Sequence, residues 1–133
     1  MTKILDCTLR DGGHINNWNF SDICVRETLR ACENSAVEYF EAGYNMPQCI
    51  KKSNVKLVIM VDAKNICSVS KNADCVRLAC YPHQISEALD ALEEYKNQGF
   101  EVFLHLMTAD KFEDYERLKN WKNKDILTSI YFA

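Results

Sequence analysis

The segment Cys75-Val76-Arg77-Leu78-Ala79-Cys80, followed by Glu101-Val102-Phe103-Leu104-His105-Leu106-Met107, decides the fold. Both are short, mostly apolar runs of the kind buried on both faces of a parallel sheet. Between them Ile85, Ala88, Leu89, Leu92 and Tyr95 recur at three- and four-residue spacing, and Gly99 stands where a helix C-terminus favours glycine. A strand, a helix and a strand in that order form a βαβ unit, whose two strands run parallel.

The pattern extends in both directions. Upstream, strands are predicted over Lys3–Leu9, Val37–Tyr44 and Lys56–Val61. Ser21 is the expected N-cap of an amphipathic helix carrying Ile23, Leu29 and Cys32 and running to Asn34. Downstream, Asp110 and Glu113 have capping-box spacing ahead of a helix whose inner stripe is Phe112, Tyr115, Leu118 and Trp121. Ile126–Phe132 reads as a sixth strand. Residues 45–55 carry no apolar stripe, and 63–74 leave room for only a short helix. With no repeat, linker or low-complexity segment, the 133 residues form one α/β domain of about six parallel strands with intervening helices. A complete (β/α)8 barrel needs roughly 250 residues. The expectation is therefore a partial barrel over residues 1–133, an N-terminal portion that stops before a seventh strand.

Composition narrows the partners. Apolar residues make up 47% of the chain and charged residues 26%, with a net charge of −3. That balance excludes a disordered chain and argues against nucleic acid or an anionic membrane as the main partner. The N-terminus has no secretory pattern, and no run approaches the ~18 apolar residues of a membrane span. The seven cysteines are odd in number and include no Cys-x-x-Cys pair, so they read as small hydrophobes in a cytoplasmic protein.

The chemistry gathers at Leu5-Asp6-Cys7-Thr8-Leu9-Arg10-Asp11-Gly12-Gly13-His14. Taken by themselves these residues describe an apolar strand ending in a tight turn, with Gly12 and Gly13 at positive φ and the charges in water. They also place a hard oxygen ligand, Asp11, beside a cation, Arg10, and an imidazole, His14. Such a set can hold Mg²⁺ or Mn²⁺, stabilise an anionic oxygen and move a proton near neutral pH.

The string from Asp6 to Gly12 resembles the Asp-x-Thr-Leu-Arg-Asp-Gly signature of the metal-dependent aldolases and lyases of the DRE-TIM group. That group includes 4-hydroxy-2-oxovalerate aldolase, 3-hydroxy-3-methylglutaryl-CoA lyase and the isopropylmalate synthases. The segment Val37–Tyr44, with Glu41, is similar to the group's second strand, and Val76-Arg77-Leu78-Ala79 to its fourth. The resemblance implies a TIM-barrel lyase that cleaves or forms a C–C bond through a pyruvate-type enolate, acting on a small 2-oxoacid or hydroxy-oxoacid. It implies that Asp11 is a ligand of Mn²⁺ or Mg²⁺, that Arg10 stabilises the enolate, and that His14 is the acid/base, the last tilting the reading towards an aldolase. Glu41 is either a partner of Arg10 or an ion-pair partner of a neighbour such as Arg77; Asp62, ending the third strand, is equally open.

The group completes its metal site with a His-x-His pair, and this chain has only His14, His83 and His105. His83 reads as capping or solvent-facing, and His105 as a core or barrel-lining histidine. On this reading the chain alone binds metal weakly and is inactive. Two alternatives are a non-catalytic oligomerising or scaffolding module and an acyl-CoA-dependent condensing enzyme. A partial barrel would also leave an open edge to cover, by a homodimer or by the rest of a barrel.

Overall fold

The computed structural model describes residues 2–111 and 115–133. It has the fold of a partial α/β barrel: six strands in chain order, with every registered pair parallel and helices in the connections. The residues fall into two compact units, Met1–Met60 with Val69–Asp74, and Val61–Ser68 with Cys75–Ala133.

In the first unit β1 is only Leu5–Asp6, shorter than the Lys3–Leu9 expected, and the chain enters a helix, α1 (Thr8–Asn16), almost at once. The cause is local. The Asp6 carboxylate accepts from the Thr8 backbone N–H at 3.1 Å and from the Thr8 hydroxyl at 2.9 Å, bending the strand into the first helical turn. Arg10 to His14 are thus helical, and Gly12 and Gly13 do not have positive φ, which corrects the tight turn expected there.

The next helix, α2 (Asp22–Asn34), is capped by Ser21, whose hydroxyl accepts from the Cys24 N–H at 3.2 Å. Its inner stripe is Val25, Leu29 and Cys32, while Ile23, expected inside, is 68% exposed. Strand β2 (Tyr39–Gly43) is buried along its whole length and pairs with both β1 and β3 (Lys56–Asp62). A register shift between Glu41 and Gly43 breaks the simple alternation of β2 at its end. Residues 45–55, which carry no apolar stripe, contain no helix.

In the second unit β4 (Cys75–Cys80) has the predicted limits and is buried throughout. After a 3-10 turn at Pro82–Gln84 comes α3 (Ile85–Asn97), with Ile85, Ala88, Leu89, Leu92 and Tyr95 all buried as the periodicity requires. Gly99 ends it at φ +99°, a conformation that L side chains rarely adopt. Strand β5 (Glu101–Leu106) pairs with β4 along its full length and with β6 (Leu127–Phe132). Val76, Leu78, Leu92, Val102, Leu104 and Leu106 have no exposure and make the centre of this core.

Of the helix expected after Asp110, the described residues show a 3-10 turn at Ala109–Lys111 and α4 (Tyr115–Lys119). Leu118 is buried there but Tyr115 is exposed; Phe112 and Glu113, and with Glu113 the capping box, lie outside the described residues. Strand β6 is half open, with Tyr131 and Phe132 each 54% exposed. No helix among the described residues is long and apolar enough to cross a membrane.

Replacing Leu92 by Ala should cost about 2–5 kcal/mol, the usual range for truncating a fully buried leucine. Ile23→Ala on the outer face of α2 should stay within about 0.5 kcal/mol. Urea denaturation of both variants checks the pair, and a large loss at Ile23 would contradict the placement of that face.

Candidate functional site

The first unit gathers four of the five residues that the sequence singled out. Arg10 and His14 lie one helical turn apart on α1, so they share a face, with Asp11 beside them. Arg10 reaches to β2, where its Nε meets Glu41 Oε2 at 3.0 Å, and its Nη2 lies 2.9 Å from Asp11 Oδ1. The Glu41 side chain is fully buried and that of Arg10 only 12% exposed, whereas Asp11 is 63% exposed. Of the two partners left open for Glu41, Arg10 is therefore one that the structure provides.

Burial alone would lower the basicity of Arg10. The carboxylates of Glu41 and Asp11 outweigh it and hold the pKa above its ordinary value, so the guanidinium stays charged at any working pH. The two ion pairs engage Nε and Nη2 of a group that carries five N–H donors.

Trp18, which the sequence reading passed over, organises this site. Its indole N–H donates to the Arg10 carbonyl at 2.9 Å. Its ring meets the His14 imidazole edge-on at 4.9 Å between centroids and the Tyr44 ring at 5.1 Å. The chain reaches this position through two successive left-handed residues, Asn17 at φ 54° and Trp18 at φ 57°. Asparagine tolerates that region; for a bulky ring it costs on the order of 1 kcal/mol or more. The signals in the sequence were the Asn16-Asn17 pair, a plausible left-handed helix end, and a tryptophan one turn beyond His14.

Trp18 also accounts for two glycines. A Cβ on Gly13 would fall among the atoms of the indole five-membered ring, far inside contact distance. A Cβ on Gly43, itself at φ +139°, would stand 3.1 Å from the same ring. The far end of β2 opens into a pocket of about 500 Å³ that Trp18, Tyr44 and Asn45 help to line. Asp22 is the one charged residue in that lining.

The fifth residue, Arg77, belongs to the second unit, where it is 3% exposed on β4. Its Nη2 lies 3.0 Å from His105 Nδ1, and its guanidinium sits 4.9 Å above the Tyr131 ring. Because arginine only donates, His105 Nδ1 accepts, which leaves the ring proton on Nε2. His105, 5% exposed, is a core histidine as expected, and His83 is exposed and stacks on Tyr81. Asp62 caps a 3-10 turn, accepting from the Lys64 N–H at 2.8 Å.

The metal that the sequence resemblance implies does not fit these residues alone. Among the described residues no group of three or more His, Cys, Asp or Glu side chains could hold an ion. Asp11 is a single exposed carboxylate already paired with Arg10. A divalent site normally draws on more oxygen or nitrogen donors than that.

No protein-family model and no curated protein matches the chain. Among solved structures it is similar to the N-terminal domain of a "putative aldolase" from Bacteroides vulgatus, at 29% identity with a TM-score of 0.81. The likeness covers 98% of this chain and 54% of that one, so the chain spans about half the length of the structure it matches.

The two adjacent glycines of α1 should respond oppositely to alanine. At Gly12 the nearest atom to a new Cβ is Phe20 Cζ at 3.7 Å, ordinary contact, so Gly12→Ala should stabilise by about 0.5–1 kcal/mol through helix propensity. Gly13→Ala must displace the indole and should destabilise by about 1–3 kcal/mol. Urea midpoints of the two variants decide the matter; equal effects would remove Trp18 from its place against α1.

Proposed function

We propose that this chain carries the enolate-stabilising part of an aldolase-type lyase, acting on a small 2-oxoacid or 4-hydroxy-2-oxoacid. The observation that carries the reading is Arg10: a charged guanidinium held rigidly by Glu41, next to Asp11 and on one helix face with His14. The likeness to a domain described as an aldolase supports it.

In the cleavage direction His14 takes the proton of the 4-hydroxyl. The alkoxide collapses to an aldehyde as the C3–C4 bond breaks, and that electron pair moves into the pyruvate enolate. Arg10 stabilises the enolate oxygen, and the carbanion carbon then takes up a proton, from the His14 imidazolium directly or through water, which gives pyruvate and resets His14. Because Arg10 is already oriented by Glu41, it loses little freedom when charge develops beside it. Asp11 would contribute one ligand to a Mn²⁺ or Mg²⁺ ion; the other ligands are not supplied by the described residues. The pocket beyond Trp18 has one carboxylate, Asp22, and no lysine or arginine among its lining residues, so it disfavours an anionic aldehyde half.

All seven cysteines are free, which suits a reducing, cytoplasmic setting. A second reading, an oligomerising module, is favoured by the exposed Tyr131 and Phe132 on β6, and a homodimer over that strand is its simplest form.

The test follows pyruvate release from 4-hydroxy-2-oxoacids, with Mn²⁺ or Mg²⁺ added, on the product of the complete coding sequence. Arg10→Lys, which keeps the charge beside Glu41 but loses the planar fork, should lower kcat roughly 100-fold and leave KM within a few-fold. No pyruvate from any such substrate, or a rise in KM alone, would overturn the aldolase reading.

A further inference from the structure

Trp18 has no part in the proton or electron movements above, yet several independent constraints hold it. It occupies left-handed backbone after Asn17, and two glycines are kept bare beneath its ring. Its N–H is committed to the carbonyl of Arg10, and its ring edge to His14. A tryptophan that merely filled the core would be buried, but Trp18 is half-buried and its contacts fall on the turn of helix that bears the candidate acid/base.

His14 needs such a neighbour. It stands in the last turns of a nine-residue helix, exposed to water, where helix ends fray and a side chain samples several rotamers. Among the described residues, the indole is the ring packed against it. We propose that Trp18 is a positioning residue: it holds the His14 imidazole in one orientation relative to Arg10 and ties that orientation to the end of β2 through Gly43 and Tyr44. Its purpose rests on the aldolase reading above; its geometry does not.

The experiment uses the full chain with Trp18→Phe and Trp18→Leu, the first keeping a ring edge for His14 and the second removing it. Nuclear magnetic resonance of the labelled histidine rings reads the His14 rotamer, with His83, stacked on Tyr81, as internal reference. His14 should hold one rotamer in the parent and in the Phe variant and average over several in the Leu variant, while His83 is unchanged. A His14 rotamer as fixed in the Leu variant as in the parent would overturn the proposal.

The pyruvate assay, run as above on the product of the complete coding sequence with Mn²⁺ or Mg²⁺ added, adds a second arm. The Leu variant should lose roughly tenfold or more in kcat with KM within about twofold, and Phe should restore most of it. Loss of kcat in step with a falling melting temperature, without rescue by Phe, would show a merely structural role and also overturn it. Should the parent release no pyruvate, the aldolase reading falls while the rotamer measurement still decides whether Trp18 positions His14.

Discussion

A carboxylate with no exposure to water, Glu41, sits on a strand between Phe40 and Ala42, both buried. Leaving such a charge unpaired would cost several kcal/mol, and removing one partner of a buried pair typically costs about 3–5 kcal/mol. Arg10 provides a countercharge from α1, which starts immediately after β1. The Asp6 carboxylate, accepting from the Thr8 N–H and hydroxyl, bends the chain into that helix locally, and the pair with Glu41 then holds Arg10 against β2. The same ion pair fixes the guanidinium that the proposed chemistry needs, so stability and positioning are one interaction here.

Legibility in the sequence tracks the strength of the apolar pattern. Strand β4 has the boundaries that its continuous apolar run implies, and helix α3 the buried stripe that its periodicity implies. Where the pattern is weaker, the sequence is a poorer guide. On α2 the true stripe is Val25, Leu29 and Cys32, and Ile23 was drawn in only because it is apolar. Near Gly12 and Gly13 a local rule, that paired glycines turn, lost to a distant one. The space that Gly13 leaves empty belongs to a side chain five residues on, which no propensity encodes.

The site was legible in a different way. Adjacent Arg10 and Asp11 announce chemistry by type, and the resemblance implies roles for them and offers Glu41 as one possible partner of Arg10. The contact that pairs Glu41 with Arg10 spans 31 residues of chain, and Trp18 is recognisable only from its contact across 8. The second unit repeats the lesson at Arg77, whose cation is placed against His105 and the face of Tyr131 by strand register. Each buried charge is legible as an anomaly in a strand, and its answer comes from another element.

The helical course of the motif changes what a match to such a signature means. Arg10 and Asp11 are fixed by charge, but the glycine that follows Gly12 is fixed by the indole above it, and Thr8 by its hydrogen bond to Asp6. Part of this stretch thus bears on the proposed chemistry, and part, Asp6 with Thr8 inside the string and Gly13 just beyond it, on how the strand becomes a helix beneath a tryptophan. A chain could keep the second part, and with it the fold, after the partners of the first were lost. Asp11, exposed and holding only Arg10 among the described ion pairs, is the residue on which those two histories would diverge. The fold carries the motif into place, but function lives in the groups that converge on it.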